Sequence, residues 1–350
     1  MLPLMHPVHL KLWVALAMLL GASLQSGAAA QDSPDPGEEL AARFSFERGA
    51  RELDRRAARW AKSRECVTCH TNGMALVAQP LVSKNRAAIR ETRRFAEGYL
   101  LGHLTGELES SGQQGSVTGL VATTAFLAMS DARRGKGPTQ AVRAGLDHAW
   151  STLDESGTWE EWLQCNWPPF EADTVFAPTL MLVALGELGD VHGKEALRPA
   201  DREGAAALVA GLKTREPLGL HDRAMRLWAS RSFGDLISEE QRTAWREELL
   251  LAQGEDGGWP MASLAASSWR HDSGEPFSAE SGAYATAFSL YVLLRSGVER
   301  DDGRIERGLE WLRRNQRESG LWFDRSPRRD RHHYISHAAS AFALLALDTP

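Results

Sequence analysis

The chain has 350 residues, with 40 Lys and Arg against 46 Asp and Glu, for a formal net charge of −6. Both signs are interspersed, and basic residues come in short pairs such as Arg328-Arg329, closed by Asp330. No phosphate-binding track results, which excludes nucleic acid as a partner. Three cysteines are too few for a disulfide-stapled scaffold.

The chain opens like a secretory leader. Lys11 gives a weakly basic start, Leu12 to Leu20 is an apolar run, and Ala28-Ala29-Ala30 offers small residues for cleavage. Residues 1–30 are therefore expected to be a signal peptide and the protein to be exported, to a periplasm or beyond. The alternative is retention as an N-terminal anchor. The run is shorter than the roughly 20 apolar residues that a membrane span needs. Nothing later approaches one, so the mature chain is expected to carry no membrane span. Residues 31–40, acidic and Pro-rich, read as a flexible linker.

Residues 41–115 read as a helical segment, beginning with one helix over Phe44–Ala61. Within it stands Cys66-Val-Thr-Cys69-His70. Two thiols at i and i+3 followed at once by an imidazole is the spacing that attaches c-type haem. Cys66 and Cys69 would bind the vinyl edges of a covalent haem c, and His70 would ligate its iron. Trp60 lies close enough in sequence to pack on a porphyrin. A local disulfide, bare thiols or a metal site are the alternatives, although no second CxxC or HxxxH pair completes a zinc set. Met74 is too near His70 to reach the opposite face of the iron; His103, Met129, His148 and Met181 are the conceivable distal ligands.

From residue 116 to residue 350 a repeat emerges. Thr124, Thr179, Thr286 and Ser340 sit in similar small-residue, apolar stretches spaced 55, 107 and 54 residues apart, and Arg223–Ser230 falls near the middle of the double interval. A period of about 54 residues signals a repeat architecture. The intervening segments 141–153, 200–213, 238–252 and 304–315 are amphipathic at helical spacing. Each unit is then a hairpin of one apolar and one charged helix. Five or six such hairpins close into an all-α, α/α toroid, with the apolar helices as the inner ring. No strand is expected.

The turns carry a pattern of their own. Gln253 to Trp259 and Gln316 to Trp322 both read Q-x-x-x-G-x-W, and Leu153 to Trp159 is the same with Leu first. Gly supplies a positive-φ stop, and Trp a large apolar face to clamp adjacent hairpins. These units resemble the repeats of squalene–hopene and oxidosqualene cyclases, in the prenyltransferase/squalene-oxidase-repeat class, over roughly residues 119–350. The whole chain resembles exported bacterial proteins that place a CxxCHT segment before such repeats. The resemblance implies an α/α toroid and an apolar, isoprenoid-like ligand. It departs at the catalytic motif: the cyclases' D-x-D-D is absent, and Ala172 falls where their proton donor stands. Classical cyclase chemistry is therefore not expected.

Candidate catalytic residues lie at the starts of the apolar helices. Glu171 and Asp173 follow a Trp-Pro-Pro loop and offer a carboxyl pair for acid–base work, although Asp173 also suits an N-cap. His221, Asp222 and Arg223 open another apolar helix, and Arg331–His337 a third. Three functions stay open at this stage. One is a haem redox enzyme on an apolar ligand. The second is an electron-transfer module that docks a partner protein. The third is a haem-free α/α-barrel lyase or hydrolase using Glu171 and Asp173.

Overall fold

A computed structural model describes residues 33–112, 114–159, 167–170, 172–193 and 197–350. Among these residues the chain forms thirteen α-helices. Among the described residues extended pairing is limited to a two-residue antiparallel match of Trp259–Pro260 with Ser281–Gly282 and isolated bridges such as Leu40 with Arg317. In chain order the helices are α1 Phe46–Arg64, α2 Met74–Val82, α3 Arg86–Thr105, α4 Val117–Arg133, α5 Gln140–Ser151, α6 Phe176–His192, α7 Pro199–Lys213, α8 Leu220–Ala229, α9 Glu239–Leu251, the single turn α10 Met261–Leu264, α11 Ala283–Arg295, α12 Gly303–Arg314 and α13 Ile335–Asp348.

Six of them form a closed inner ring. α2 packs on α4, α4 on α6, α6 on α8, α8 on α11, α11 on α13, and α13 returns to α2. Their sequences explain the placement: α4, α11 and α13 are built of Ala, Thr, Ser, Leu and Phe, and nearly every residue in them is buried. A helix apolar on all sides is stable only when surrounded by other elements. The outer helices α1, α3, α5, α7, α9 and α12 are amphipathic. In α12 the apolar face is Ile305, Leu309 and Leu312, while the arginines and glutamates point outward. Side-chain caps fix their starts, as at Ser45, Asn85, Thr139, Ser238 and Asp302. The fold is the expected all-α toroid.

The Gly-x-Trp turns act as staples. Trp159, Trp259 and Trp322 are almost fully buried, and each indole N–H donates to a carbonyl ten residues earlier, those of Ala149, Leu249 and Leu312, at 2.9, 2.6 and 2.7 Å. The glutamines reach across to the next outer helix. Gln253 donates to Gly257 O and Arg304 O, and Gln316 donates to Gly320 O and to Ser45 O at the start of α1. The last turn thus clasps the first outer helix and closes the ring.

That closure changes the division of the chain. Residues 41–115 do not stand ahead of the toroid; they supply α1, the inner helix α2 and the outer helix α3. The CxxCH segment is the loop that enters the first inner helix. Inner-to-outer connections are short and lie at one rim, for example 83–85 and 134–139. The connections into the inner helices, among them 252–282, 315–334 and the described residues 152–159, 167–170 and 172–175, lie at the opposite rim, where the inner helices begin.

Candidate active site at the rim of the inner helices

Of the described residues singled out for acid–base chemistry, Asp173, His221, Asp222 and Arg223 lie just before or at the start of an inner helix, at this rim. Asp173 precedes α6 and accepts hydrogen bonds from the backbone N–H groups of Val175 and Phe176, both at 3.0 Å. It is therefore a helix cap. Its carboxyl is nonetheless pushed up to about 6, first by burial and then by the charge of Asp222. Asp222, in the first turn of α8, carries a two-point ion pair to Arg226 with both contacts at 3.1 Å, and it accepts from Leu218 N–H. The negative charge of Asp222 favours the protonated form of Asp173.

Behind them lies a buried polar and aromatic layer. His221 stacks on Phe288 at 4.4 Å, and its Nε2 stands 3.0 Å from the Tyr284 hydroxyl. Burial pushes this imidazole down to about 3, so it is neutral and shares a single hydrogen bond with Tyr284. Asp324 accepts from Tyr284 N–H at 2.6 Å and is pushed up to about 7 by burial. Arg223, by contrast, turns away: its guanidinium pairs with Glu248 of the outer helix α9, so the structure does not gather it with Asp173. Glu171 lies outside the described residues. Sequence reasoning left Asp222 open between a cap and a site residue and overlooked Asp324 and Tyr284, which become visible only when α8, α11 and the loop before α13 meet.

The CxxCH segment occupies the neighbouring sector. Cys69 begins a π-helical turn over Cys69–Gly73 that runs directly into α2. Asn72 holds the loop, accepting from Thr68 N–H at 2.9 Å and donating to Cys66 O at 3.0 Å. Cys66, Cys69 and His70 line one cavity of about 150 Å³ together with Tyr99, Trp167 and Phe170. The His70 ring stacks on Tyr334 at 5.6 Å, with Trp60 and Trp167 at 5.8 and 5.9 Å. Its Nδ1 is buried with no hydrogen-bond partner, and burial pushes the imidazole down to about 4. Burial likewise pushes the Cys66 thiol up to about 11. A protonated Cys66 thiol beside a neutral His70 imidazole matches the donor types that a covalent haem uses. The cavity is benzene-sized, so the site does not fit a porphyrin. Of the conceivable distal ligands, Met129 and Met181 are fully buried in the core and His148 sits on the outer helix α5; His103 packs edge-on against Tyr99 at 4.6 Å.

No family model and no curated protein matches this sequence. Solved structures do match it. A structure of a possible member of the GH105 family from Klebsiella pneumoniae aligns with a TM-score of 0.51 at 13% identity, covering 90% of this chain and 95% of that one. A protein from Actinoplanes aligns with a TM-score of 0.50 at 16% identity, covering 86% and 99%. At such identities the likeness shows the fold, an α/α toroid.

These neighbours correct the cyclase resemblance. The Q-x-x-x-G-x-W turns do not single out a terpene cyclase: their Trp and Gln side chains are fully engaged in stapling outer helices, so they report the toroid and not its chemistry. The terpenoid ligand expected from that resemblance falls with it. The cytochrome-like reading of the CxxCH segment finds no support in these neighbours, and residues 46–105 supply helices of the ring. Residues 1–30, read as a leader, lie outside the described residues. Among the described residues no helix is long and apolar enough to cross a membrane.

Proposed function

We propose that this chain is a glycoside-cleaving hydrolase whose general acid is Asp173. The observation that carries the reading is a carboxyl held protonated to about pH 6 at the rim of an α/α toroid, beside the second, ion-paired carboxylate Asp222. Cleavage of a glycosidic bond needs a proton delivered to the leaving oxygen by one carboxyl group while a second carboxylate assists on the sugar. Asp173 supplies the first, and its two backbone hydrogen bonds fix its direction. Glu171, two residues earlier in sequence, is the candidate for the second. Asp222 acts through Asp173 by keeping the proton on it. The fold likeness to a possible GH105 member supports the same reading, and none of this chemistry draws on Cys66–His70.

The test is release of reducing sugar from a panel of neutral and acidic oligosaccharides. Asp173→Asn is expected to lose about 100-fold or more of the rate, the scale of a general acid, with an unchanged helical circular dichroism spectrum. Glu171→Gln is expected to fall comparably. Arg223→Gln, which breaks only an exposed pair, is expected to stay within a few-fold of the wild type. A folded protein that cleaves nothing in the panel, or an Asp173→Asn variant at full rate, would sink the proposal.

A further inference from the structure

The loop between α10 and α11 brings one more side chain to the candidate site. Trp269 is 3% exposed, and its ring stands edge-on to His221, the residue before Asp222, at 5.4 Å. We infer that Trp269 is a positioning residue of this site, its indole N–H held ready as the donor to the Asp173 carboxylate that remains once the proton has been delivered. Trp269 takes this role on the reading of Asp173 as the general acid.

Three observations carry it. First, both backbone hydrogen bonds of Asp173 fall on one oxygen, Oδ1, from the N–H groups of Val175 and Phe176. Oδ2 is thereby left to carry the proton. Second, Trp269 Nε1 is buried and has no hydrogen-bond partner at rest. An indole can only donate, and a buried donor without an acceptor is costly. Such an orphan calls for a partner supplied in another state of the site. Third, the indole acts on Asp173 itself. Burial and the charge of Asp222 raise this carboxyl, while the two backbone N–H groups and the side chain of Trp269 lower it. With the proton in place, Oδ2 offers the indole little. Without it, the same oxygen is a charged acceptor, and such bonds are roughly twice as strong as those between neutral groups. As the leaving oxygen takes the proton, the O–H electron pair stays on Oδ2 and the indole N–H donates to it. The indole keeps its own proton throughout.

The other ionisable groups about this pair have partners of their own. Asp222 is committed to Arg226 by two contacts at 3.1 Å. His221, pushed down to about 3 by burial, stays neutral and meets the Tyr284 hydroxyl. On the loop of Trp269, the Arg270 guanidinium turns back to the Trp269 carbonyl at 2.6 Å, and His271 Nδ1 faces the Ser273 hydroxyl at 2.7 Å.

The test follows the indole directly and needs no substrate. The full chain is labelled with 15N in its tryptophans and 13C at its aspartate carboxyls, and both sets of resonances are followed by NMR across the titration of Asp173. Trp269→Phe identifies the indole signal by its loss, and Asp173→Asn identifies the carboxyl. The Trp269 N–H proton is expected to move downfield with the midpoint of Asp173, and to stay in place in Asp173→Asn. In Trp269→Phe the Asp173 midpoint should rise by about one pH unit, the scale of one hydrogen bond to a charged group. Should that variant not fold, the wild type and Asp173→Asn still decide, since the indole beside Asp173 is the one whose titration the change abolishes. An indole signal that stays still while Asp173 titrates, as a permanently bound water would hold it, overturns the inference. So does one that moves unaltered in Asp173→Asn. On a cleaved oligosaccharide, Trp269→Phe should lower kcat about tenfold with KM unchanged, and carry the alkaline limb upward; full rate with an unshifted limb also overturns it. A coupled titration in a protein that cleaves no sugar would instead remove the hydrolytic reading and leave the contact between Trp269 and Asp173 standing.

Discussion

Asp173 combines a helix cap with a carboxyl that holds its proton to about pH 6. Its two backbone hydrogen bonds favour the charged form, while burial and Asp222 oppose it more strongly, and the balance lies at about 6. If the proton is the one delivered, activity is present below that value and is lost as pH rises through it. Asp222→Asn removes a like charge, so the alkaline limb should move to lower pH, as a pH–rate profile would show; a limb that stays in place would remove Asp222 from the mechanism. Stability has the same sign. A carboxyl whose folded value is raised stabilises most below its unfolded value near 4, and that contribution is lost as pH rises through about 6. The cap was legible at Asp173, since a carboxyl before an apolar helix has few other duties. Its altered acidity was not, because Asp222 lies 49 positions along the chain and approaches only when α6 and α8 pack. Arg223 failed for a related reason. Helical periodicity places it one step round from Asp222, on the face turned to α9 and Glu248.

At the scale of elements, the turns carried most of what the sequence could tell. Gly320 has φ +100°, and a Cβ there would stand 2.7 Å from the backbone of Arg48 in α1. A side chain at this position would meet both a left-handed backbone and the clasp between the last turn and the first helix. Gly320→Ala is therefore expected to cost about 1–3 kcal/mol in urea denaturation. Gly98 is the internal contrast: it lies within α3 with nothing near its missing Cβ. Gly98→Ala should stabilise by about 0.5–1 kcal/mol, through helix propensity alone. Equal effects at the two sites would refute the stapling role. The repeat read from Thr124 onward fell on inner helices throughout. The first unit escaped because α2 has only nine residues, contains Pro80, and is entered through a π-turn in place of a Gly-x-Trp turn. A period cannot be counted from a unit that lacks its markers, and so the ring looked shorter than it is.

Across the whole molecule, one guanidinium unites four of the six inner helices. Arg133, at the end of α4, donates to both carboxylate oxygens of Glu187 in α6 at 2.7 and 2.6 Å, to Val77 O in α2 at 2.9 Å, and to the Tyr291 hydroxyl in α11 at 2.7 Å. The pair is nearly closed to solvent, with side chains 6% and 9% exposed. No sequence pattern marks this bridge, since its partners come from four separate repeats. Its energetics follow from desolvation. Two charges taken out of water are costly, and only their mutual contact and the added hydrogen bonds offset that cost. Glu187→Ala leaves the arginine charge buried and unmatched, so it should lose about 3–5 kcal/mol of unfolding free energy. Replacing both, as Arg133→Met with Glu187→Leu, removes the unmatched charge and fills the space. The double variant should therefore be more stable than Glu187→Ala, and urea midpoints of the two measured side by side decide the matter. If the double variant is the weaker of the two, the bridge supplies net stability to the ring; if it is the stronger, apolar packing closes the toroid and the bridge fixes the register in which the six hairpins meet.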